Sequence, residues 1–209
     1  RIATKSISKG TDFEKFLVHN GVDHFSVEGC VDTLYQLPNM SVGLSDFKSS
    51  IPVLWWRGVG HTHTAFAMES LLDMVAQRTG KDPIELRLDL LNSNDLKQQR
   101  MANVLKISRS RSGWKKGNKR GFAAHYFYKA FVAVVADVSA TGKQVHIDKL
   151  HITVDCGVPV NPDVIRAQME GGAGYGLGAL FRNEITFAKV QVEQSNFDNF
   201  LSLQISDMP

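Results

Sequence analysis

A glycine-rich segment between residues 161 and 178 carries the clearest chemical content in this chain. Asn161 and Pro162 predict the start of a helix, as N-cap and first helical residue, and Asp163 adds a favourable negative charge to its first turn. The predicted helix contains five glycines, which are Gly171, Gly172, Gly174, Gly176 and Gly178. Each costs a helix interior about 1 kcal/mol relative to alanine, so together they cost on the order of 5 kcal/mol. This cost predicts that another helix or a bulky ligand approaches the helix backbone closely.

A second candidate site is the loop of residues 56–61, with the sequence Trp-Arg-Gly-Val-Gly-His. Gly58 and Gly60 flank Val59, and their backbone freedom allows consecutive amides to point at one anion in a nest geometry. The loop leads into a predicted helix, whose N-terminus adds positive potential. A metal oxo group or a pyrophosphate would suit such a site. The alternative is a tight strand-to-helix turn in which the glycines only satisfy the backbone geometry.

Two histidines, His61 and His63, raise the question of direct metal binding. Their i, i+2 spacing does not place them on one face of a helix. No glutamate or third ligand follows at the spacing of a zinc protease motif. The pattern therefore disfavours direct metal ligation by this pair.

Strong helix signals follow the loop of residues 56–61. From about Thr62 the apolar period is helical, and Gly80 is expected to close this helix. The apolar face is expected to consist of Met68, Leu71, Leu72 and Val75. Asp82 and Pro83 predict the cap and the first residue of the next helix, with Glu85 at the capping-box position.

Two more helices and seven strands complete the predicted secondary structure. The helices are expected over residues 12–18 and from 95 to about 107. The strands are expected over residues 22–29, 52–56, 121–128, 131–138, 145–154, 183–187 and 190–194, with a hairpin signal at residues 141–142. Helices and strands mix without regular βαβ alternation, so we expect an α+β fold of mixed sheets with packed helices.

The composition is that of an ordinary globular protein, with 209 residues, 43% of them hydrophobic and 22% charged, and a formal net charge of +3. No run of about twenty apolar residues predicts a membrane-spanning helix. Two cysteines, Cys30 and Cys156, cannot supply the roughly four thiolates of an iron–sulfur cluster. Cys156 lies in an apolar strand pattern and is expected to be a small buried residue.

A basic segment between residues 106 and 120 contains no acidic residue. Its charges are Lys106, Arg109, Arg111, Lys115, Lys116, Lys119 and Arg120. We expect a solvated loop. The alternatives are contact with a partner protein and, less favoured, binding of nucleic acid, which would require a steep salt dependence.

Four segments, in order along the chain, resemble the molybdopterin-binding subunit of the xanthine dehydrogenase family. Within that family they are most similar to the branch of the isoquinoline 1-oxidoreductase β subunit and to the aldehyde dehydrogenase relatives of that branch. The segments cover residues 57–70, 80–87, 154–172 and 194–209. A motif such as Arg-Gly-x-Gly is weak by itself, but four ordered matches between about residues 27 and 209 are specific.

The resemblance implies a molybdenum hydroxylase that oxidises an N-heterocycle or an aldehyde with oxygen from water. Its cofactor would be molybdopterin with molybdenum, expected in the cytosine dinucleotide form, and the metal needs no protein side chain as ligand. The implied partners are the remainder of the large subunit, an iron–sulfur small subunit, a haem protein as a further electron acceptor and a small-molecule substrate, with no nucleic acid. The implied location is the periplasm, with the cytoplasm as the alternative.

The resemblance also assigns roles to residues of this chain. Contact with the cofactor is implied for Gly58, Val59, Gly60, His61, Gln168, Gly171 and Gly172. The primary amide of Gln168 offers two donors and an acceptor to the pterin edge; its alternative is a solvated helix residue. Trp56 stands where the family places an aromatic residue along the substrate channel, and His61 is expected to form a wall of the substrate or pterin pocket.

No catalytic base is assigned to this chain. The family's Gly-x-Gly-Glu loop and its upstream glutamine loop are not found here, and Glu170 does not lie in the base motif. The chain is therefore expected to be a C-terminal-side fragment that is inactive by itself, with a cofactor-free folded fragment as the alternative. We expect three parts: an irregular segment (1–52), the first cofactor loop with its helices (53–120), and strands with the glycine-rich helix (121–209).

Overall fold

The computed structural model describes residues 2–117 and 119–209, which form two compact units divided between Gly157 and Val158. Helices are combined with small sheets, so the predicted α+β class is confirmed. The α-helices are α1 (Glu14–Leu17), α2 (Gly60–Thr79), α3 (Pro83–Asp89), α4 (Leu96–Ser112) and α5 (Pro162–Phe181). The strands are β1 (Ile2–Thr4), β2 (Val18–His19), β3 (Val22–Asp23), β4 (Leu44–Asp46), β5 (Arg120–Phe127), β6 (Ala130–Thr141), β7 (Gln144–Asp155), β8 (Phe187–Ala188) and β9 (Gln191–Val192).

The core of the first unit lies between an antiparallel sheet, in the order β5-β6-β7, and helices α3 and α4. Alternate residues of β6 point to this core, because successive side chains of a strand face opposite sides of a sheet. The buried core residues are Ile84, Met101, Val104, Leu105, Phe122, Ala124, Phe131, Ala133 and Val135. The predicted hairpin at residues 141–142 is confirmed as the β6–β7 connection, where Gly142 has a φ of +62°.

The helix boundaries follow the predicted capping residues. Gly80 ends α2 in the left-handed conformation, and the Asp82 carboxylate caps α3 by accepting from the amides of Ile84 and Glu85. Asp95 caps α4, which extends to Ser112, beyond the predicted end near residue 107. Glu85 does not complete the predicted capping box, because its carboxylate contacts Arg109 of α4.

The buried face of α2 differs from the predicted one. Met68 and Leu72 are buried as expected, but Leu71 and Val75 are exposed. The inward face instead includes the polar residue Glu69. Hydropathy alone placed the centre of the buried face wrongly, because it could not show that the Glu69 side chain has its hydrogen-bond partners inside the protein.

Glu69 and Arg87 form a buried ion pair that joins α2, α3 and β5. The Arg87 Nε donates to Glu69 Oε2 at 2.9 Å, and the Ala124 amide of β5 donates to the same oxygen at 2.7 Å. Tyr35 donates its hydroxyl to Glu69 Oε1 at 3.0 Å. Arg87 is fully buried, and it also lies 2.8 Å from Asp73. Burial raises the pKa of Glu69 even though Arg87 lowers it.

Two predicted strands of the first unit are wrong in this structure. The strand expected over residues 22–29 is limited to Val22–Asp23, because the Asp23 carboxylate accepts from the amide of Phe25 and caps a 3-10 helix, His24–Ser26. The same carboxylate accepts from the amide of Ser8 at 3.0 Å. No strand forms over residues 52–56, which are described as irregular chain.

The basic segment is the predicted solvated loop only in part: Lys115, Lys116 and Lys119 lie in exposed chain outside helices and strands. Its first half, up to Ser112, belongs to α4. Arg109 contacts Glu85, and Arg120 contacts Asp137 with Nη2 and Oδ2 3.2 Å apart. Arg109 and Arg120 therefore join elements of the first unit. Position 118 of the predicted loop lies outside the described residues.

The second unit consists of α5 and the chain that follows it. Asn161 caps α5, accepting from the amides of Asp163 and Val164, and Pro162 is its first residue, as predicted. Arg182 and Asp207 form an ion pair at 2.9 Å. The predicted terminal hairpin is present but reduced to the two-residue strands β8 and β9.

Two further observations concern general properties. Cys156 is exposed, so its predicted burial is wrong. Among the described residues, no helix is both long and apolar enough to cross a lipid bilayer.

Candidate cofactor site

The five glycines of α5 differ in their surroundings. A methyl group at Gly174 would lie 3.1 Å from the sulfur of Met208, and one at Gly178 would lie 2.8 Å from the amide oxygen of Asn183. These two positions therefore allow the second unit to pack its own C-terminal segment against α5. A methyl group at Gly171, Gly172 or Gly176 would meet no described atom within 4 Å.

Gln168 lies on the same face as the three open glycines. Its spacing to Gly171 and Gly172 is i, i+3 and i, i+4, which places them side by side on a helix. Gln168, Gly171, Gly172 and Gly176 are all exposed. We call these four residues the open glycine face. Within the second unit, no described neighbour explains these three glycines, and the open backbone beside an amide side chain fits a flat, hydrogen-bonding ligand.

The loop of residues 56–61 forms a strained turn at the start of α2. Gly58 has a φ of +77°, and Val59, which is the N-cap, has a φ of +47° that a β-branched residue rarely adopts. The Val59 amide donates to the carbonyl of Trp56 at 2.9 Å. The Gly60 amide donates to Glu28 Oε1 at 2.8 Å. The predicted anion nest is therefore wrong for these two amides, because both are bound within the protein.

Gly60 also has a packing role. This agrees in part with the alternative that the loop is a tight turn whose glycines satisfy the backbone geometry. A methyl group at this position would overlap the carbonyl oxygen of Phe25 and lie 2.7 Å from Cγ of Glu28. The negative end of Glu28 thus occupies the N-terminus of α2, where the helix dipole favours an anion. The glycine is required for this close approach of two chain segments, whether or not a ligand is also near.

A pocket of about 350 Å³ lies beside this turn. Its lining consists of His24, Phe25, Glu28, Asp32, Val59, His61, Tyr126, Phe127 and Tyr128. The predicted residues Val59 and His61 thus share one pocket wall. Trp56, with Val59 and Gly60, lines a separate neighbouring pocket of about 330 Å³. Cofactor or substrate contact by these residues stays a prediction.

His61 belongs to a histidine pair that the sequence did not reveal. Its Nδ1 lies 2.8 Å from Nε2 of His125 on β5, and its Nε2 lies 4.0 Å from Glu28 Oε2. The Phe127 ring lies 4.2 Å from the His61 ring, centroid to centroid. Burial and the neighbouring His61 lower the pKa of His125 to about 4. No group of three metal-binding side chains is arranged to hold an ion in the part of the chain that the structure describes.

Sequence reasoning missed Glu28, which lines this pocket, and His125, which contacts the pocket residue His61. His125 lies 64 positions from His61, and Glu28 lies 32 positions from Gly60. A lone histidine in a strand pattern and a lone glutamate in an irregular segment carry no local signal. Only the packing of α2 against β5 and the 3-10 helix region brings them together.

The free energy of unfolding is expected to fall as the pH falls from about 6.5 to about 4. An unfolded histidine takes up a proton near pH 6.5, whereas His125 in the folded chain does so only near its pKa of about 4. Protons therefore favour the unfolded state in this window, by up to about 3 kcal/mol at its acid end. Urea unfolding between about pH 7.5 and about pH 4.5 measures this loss.

The control for this prediction is His125→Gln, which cannot take up the proton. Burial raises the pKa of Glu69, so its contribution has the opposite sign: it is lost as the pH rises. Because that contribution is common to both proteins, the difference between them isolates His125. Parallel stability curves for the wild type and the variant would contradict the prediction.

Comparison with protein families matches this chain twice. A molybdopterin cofactor-binding domain matches residues 67–209, and a second domain of the same description matches residues 18–91. Together these matches include both α5 and the loop of residues 56–61.

Three characterised proteins are similar to the chain. It is 30% identical over 184 residues to the β subunit of isoquinoline 1-oxidoreductase from Brevundimonas diminuta, covering 84% of this chain and 23% of the relative. It is 26% identical over 198 residues to the B subunit of nicotinate dehydrogenase from Pseudomonas putida, covering 84% and 16%. It is 31% identical over 181 residues to the membrane-bound aldehyde dehydrogenase [pyrroloquinoline-quinone] of Gluconacetobacter polyoxogenes, covering 74% and 23%.

The chain spans between 16% and 23% of the length of these relatives. The family match nevertheless covers well over half of the chain, and it agrees with the four ordered segments of the sequence. The chain therefore belongs to the family of molybdopterin cofactor-binding domains, and its similarity to the molybdopterin-binding subunit of the xanthine dehydrogenase family is confirmed.

Proposed function

We propose that this chain supplies part of the molybdopterin site of a molybdenum hydroxylase that oxidises an N-heterocycle or an aldehyde with oxygen from water. The observation that carries the proposal is the open glycine face of α5. In a domain of this family, a cofactor seated there would account for three glycines that have no described neighbour within the second unit and lie beside an exposed glutamine amide. The relatives named for isoquinoline, nicotinate and aldehyde support the substrate classes.

In this proposal the residues of the chain bind and orient the cofactor. When bound, the cofactor supplies the two-electron oxidation, and the protein supplies binding, orientation and electrostatics. The Gln168 amide hydrogen-bonds the pterin or its nucleotide tail, and Gly171 and Gly172 admit it close to the helix backbone. Val59 and His61 form a wall of the pocket beside α2, and Trp56 shapes the substrate path.

The catalytic base is assigned to no residue of this chain. Glu28 is buried and accepts the amide of Gly60, and Glu69 is held by Arg87. Glu170 is exposed on α5, outside the open glycine face. A carboxylate base that activates the attacking oxygen would come from another part of the enzyme.

The proposed partners follow from the same family assignment. They are the remainder of a large subunit, an iron–sulfur small subunit and a haem protein as a further electron acceptor. The proposed form of the cofactor is the cytosine dinucleotide, and the proposed location is the periplasm. One relative is named for pyrroloquinoline quinone, whereas the family match over residues 67–209 favours molybdopterin.

The decisive experiment is chemical analysis of the native protein. The chain is purified with any polypeptide that accompanies it, and its molybdenum, pterin, nucleotide and quinone contents are measured beside the intact mass. One molybdenum and one pterin per chain support the proposal. Pyrroloquinoline quinone without molybdenum would refute it. A folded chain with none of these groups and no accompanying polypeptide would support the alternative of an inactive, cofactor-free fragment.

Replacement of Gly172 by alanine is expected to raise stability and lower cofactor content. The methyl group would favour the helix by about 1 kcal/mol, because nothing lies within 4 Å to oppose it. The same methyl group would intrude on the proposed cofactor, and a misfit of about 1.4 kcal/mol lowers affinity about tenfold. Thermal unfolding and the molybdenum-to-protein ratio measure the two effects.

Gly174→Ala is the matched control, because Gly174 faces Met208 on the other side of the same helix. The flexible methionine side chain can yield, so this variant is expected to keep its molybdenum. Equal molybdenum contents in the two variants would show that the open glycine face does not contact the cofactor.

A further inference from the structure

We propose that His125 is a positioning residue, which holds His61 in one neutral tautomer with its Nε2–H directed toward Glu28 and the pocket beside α2. The family resemblance implies that His61 contacts the cofactor and forms a pocket wall, and it assigns no role to His125. The proposal concerns the chain itself, and only its consequence for ligand binding rests on the proposed function.

The geometry of the pair supports a fixed direction of the hydrogen bond. The His61 Nδ1 and His125 Nε2 atoms are 2.8 Å apart, so one ring must donate and the other accept. His61 Nε2 lies 4.0 Å from Glu28 Oε2, and a carboxylate oxygen can only accept. The negative charge of Glu28 favours a hydrogen on His61 Nε2 across this distance, and in the neutral ring Nδ1 is then the acceptor and His125 Nε2 the donor.

Packing holds His61 in place. His61 is only 8% exposed, and its ring is covered by the Phe127 ring and meets the His125 ring edge to face. Glu28 is fixed in turn, because its other oxygen accepts the Gly60 amide at 2.8 Å. Burial and the neighbouring His61 lower the pKa of His125 to about 4, so the His125 ring is uncharged near neutral pH.

The consequence is a specific chemistry at the pocket wall. His61 presents an uncharged N–H donor, and Glu28 Oε2 lies beside it as an acceptor. Such an edge recognises a neutral acceptor atom, such as a carbonyl oxygen or a ring nitrogen, better than an anion, which the Glu28 carboxylate repels. In the proposed function this group would belong to the substrate or to the pterin ring rather than to a phosphate.

The test is the tautomer of His61 in the 209-residue chain. Two-bond ¹H–¹⁵N spectra of ¹⁵N-histidine protein near neutral pH distinguish the Nε2–H form, the Nδ1–H form and the cation, and His61→Gln identifies the resonances. The wild type is expected to show the Nε2–H form alone. The Nδ1–H form or the cation in the wild type would overturn the proposal without any variant.

Two replacements of His125 separate positioning from simple packing. His125→Gln keeps an N–H donor and should preserve the His61 Nε2–H form, whereas His125→Leu removes the donor and should give a mixture of tautomers. His63→Gln is the control, because His63 is an exposed histidine on the same helix. An unchanged His61 in a folded His125→Leu protein would overturn the proposal. If that variant does not fold, the wild-type tautomer still decides.

A second readout keeps this inference distinct from the proposed function. In natively purified protein the molybdenum content should fall about tenfold in His125→Leu, the equivalent of one lost hydrogen bond of about 1.4 kcal/mol, and stay near the wild-type value in His125→Gln. A tautomer change in a protein that never holds molybdenum would support positioning and refute the proposed function. A wild-type molybdenum content in His125→Leu with an unchanged His61 tautomer would support the proposed function and refute positioning.

Discussion

Replacement of Arg87 by alanine is expected to lower the free energy of unfolding by about 3–5 kcal/mol, the cost of leaving a buried charge without its partner. Arg87 is fully buried and donates to the Glu69 side chain, to its backbone carbonyl and to the carbonyl of Pro83, each at 2.9 Å. Without the guanidinium, the Glu69 carboxylate keeps only the Tyr35 hydroxyl and the Ala124 amide among the described residues.

The effect should spread beyond the ion pair, because Glu69 connects three elements. It belongs to α2, it is paired with α3, and it accepts an amide from β5. A loss of this size is a large fraction of the roughly 5–15 kcal/mol that typically separates a folded domain of about this size from its unfolded state. Urea unfolding followed by circular dichroism measures the change.

Two controls make the prediction specific. Arg78→Ala removes an exposed arginine of α2 and should change stability by less than about 0.5 kcal/mol. The double variant Glu69→Leu, Arg87→Met removes both charges and should be more stable than Arg87→Ala, since a buried pair is often replaced by apolar residues at little cost. A double variant less stable than the single one would contradict the prediction that the unpaired Glu69 charge causes the loss.

Replacement of Gly60 by alanine is expected to destabilise the first unit by about 3 kcal/mol or more, because a rigid backbone group blocks the new methyl group. The obstacle is the carbonyl oxygen of Phe25, and the new methyl group would also lie only 2.7 Å from Cγ of Glu28. The Phe25 carbonyl cannot rotate away as a side chain does. Relief requires the start of α2 to move from the 3-10 helix region, which would also lengthen the bond from the Gly60 amide to Glu28.

Gly121→Ala is the matched control in the same unit. A methyl group at Gly121 meets nothing within 4 Å. The free energy of unfolding of Gly121→Ala should therefore stay within about 1 kcal/mol of the wild-type value. The His61 resonances report the local consequence, because His61 follows Gly60 directly and should move in Gly60→Ala only. Equal stability of the two alanine variants would show that the Phe25 segment can retreat at little cost.

The sequence predicted those parts of the fold that depend on neighbours along the chain. The caps Asn161 and Asp82, the terminator Gly80 and the β6–β7 hairpin are as expected, because each depends on a few adjacent residues. The same locality explains the failures. The composition of residues 22–29 predicted a strand, but the Asp23 side chain caps a 3-10 helix within this segment.

The candidate site shows the same difference between local signals and long-range contacts. The glycine-rich helix with Gln168 could be predicted from residues within one segment, and the family from four ordered motifs, whereas the structure was needed to show which glycines of this helix stay open. The contacts of Gly60 with Glu28 and of His61 with His125 could not, because these partners are far apart in sequence and meet only where α2 packs against other elements.

Sequence by itself therefore determined where most helices and the main hairpin form and which family the chain belongs to. Only the tertiary structure decided that Glu28 occupies the start of α2, that a second histidine lies against His61, and that a polar residue defines the inward face of that helix. The reason is physical: capping and helical spacing act over a few residues, whereas the partner of a buried polar group is chosen by the packing of the whole unit.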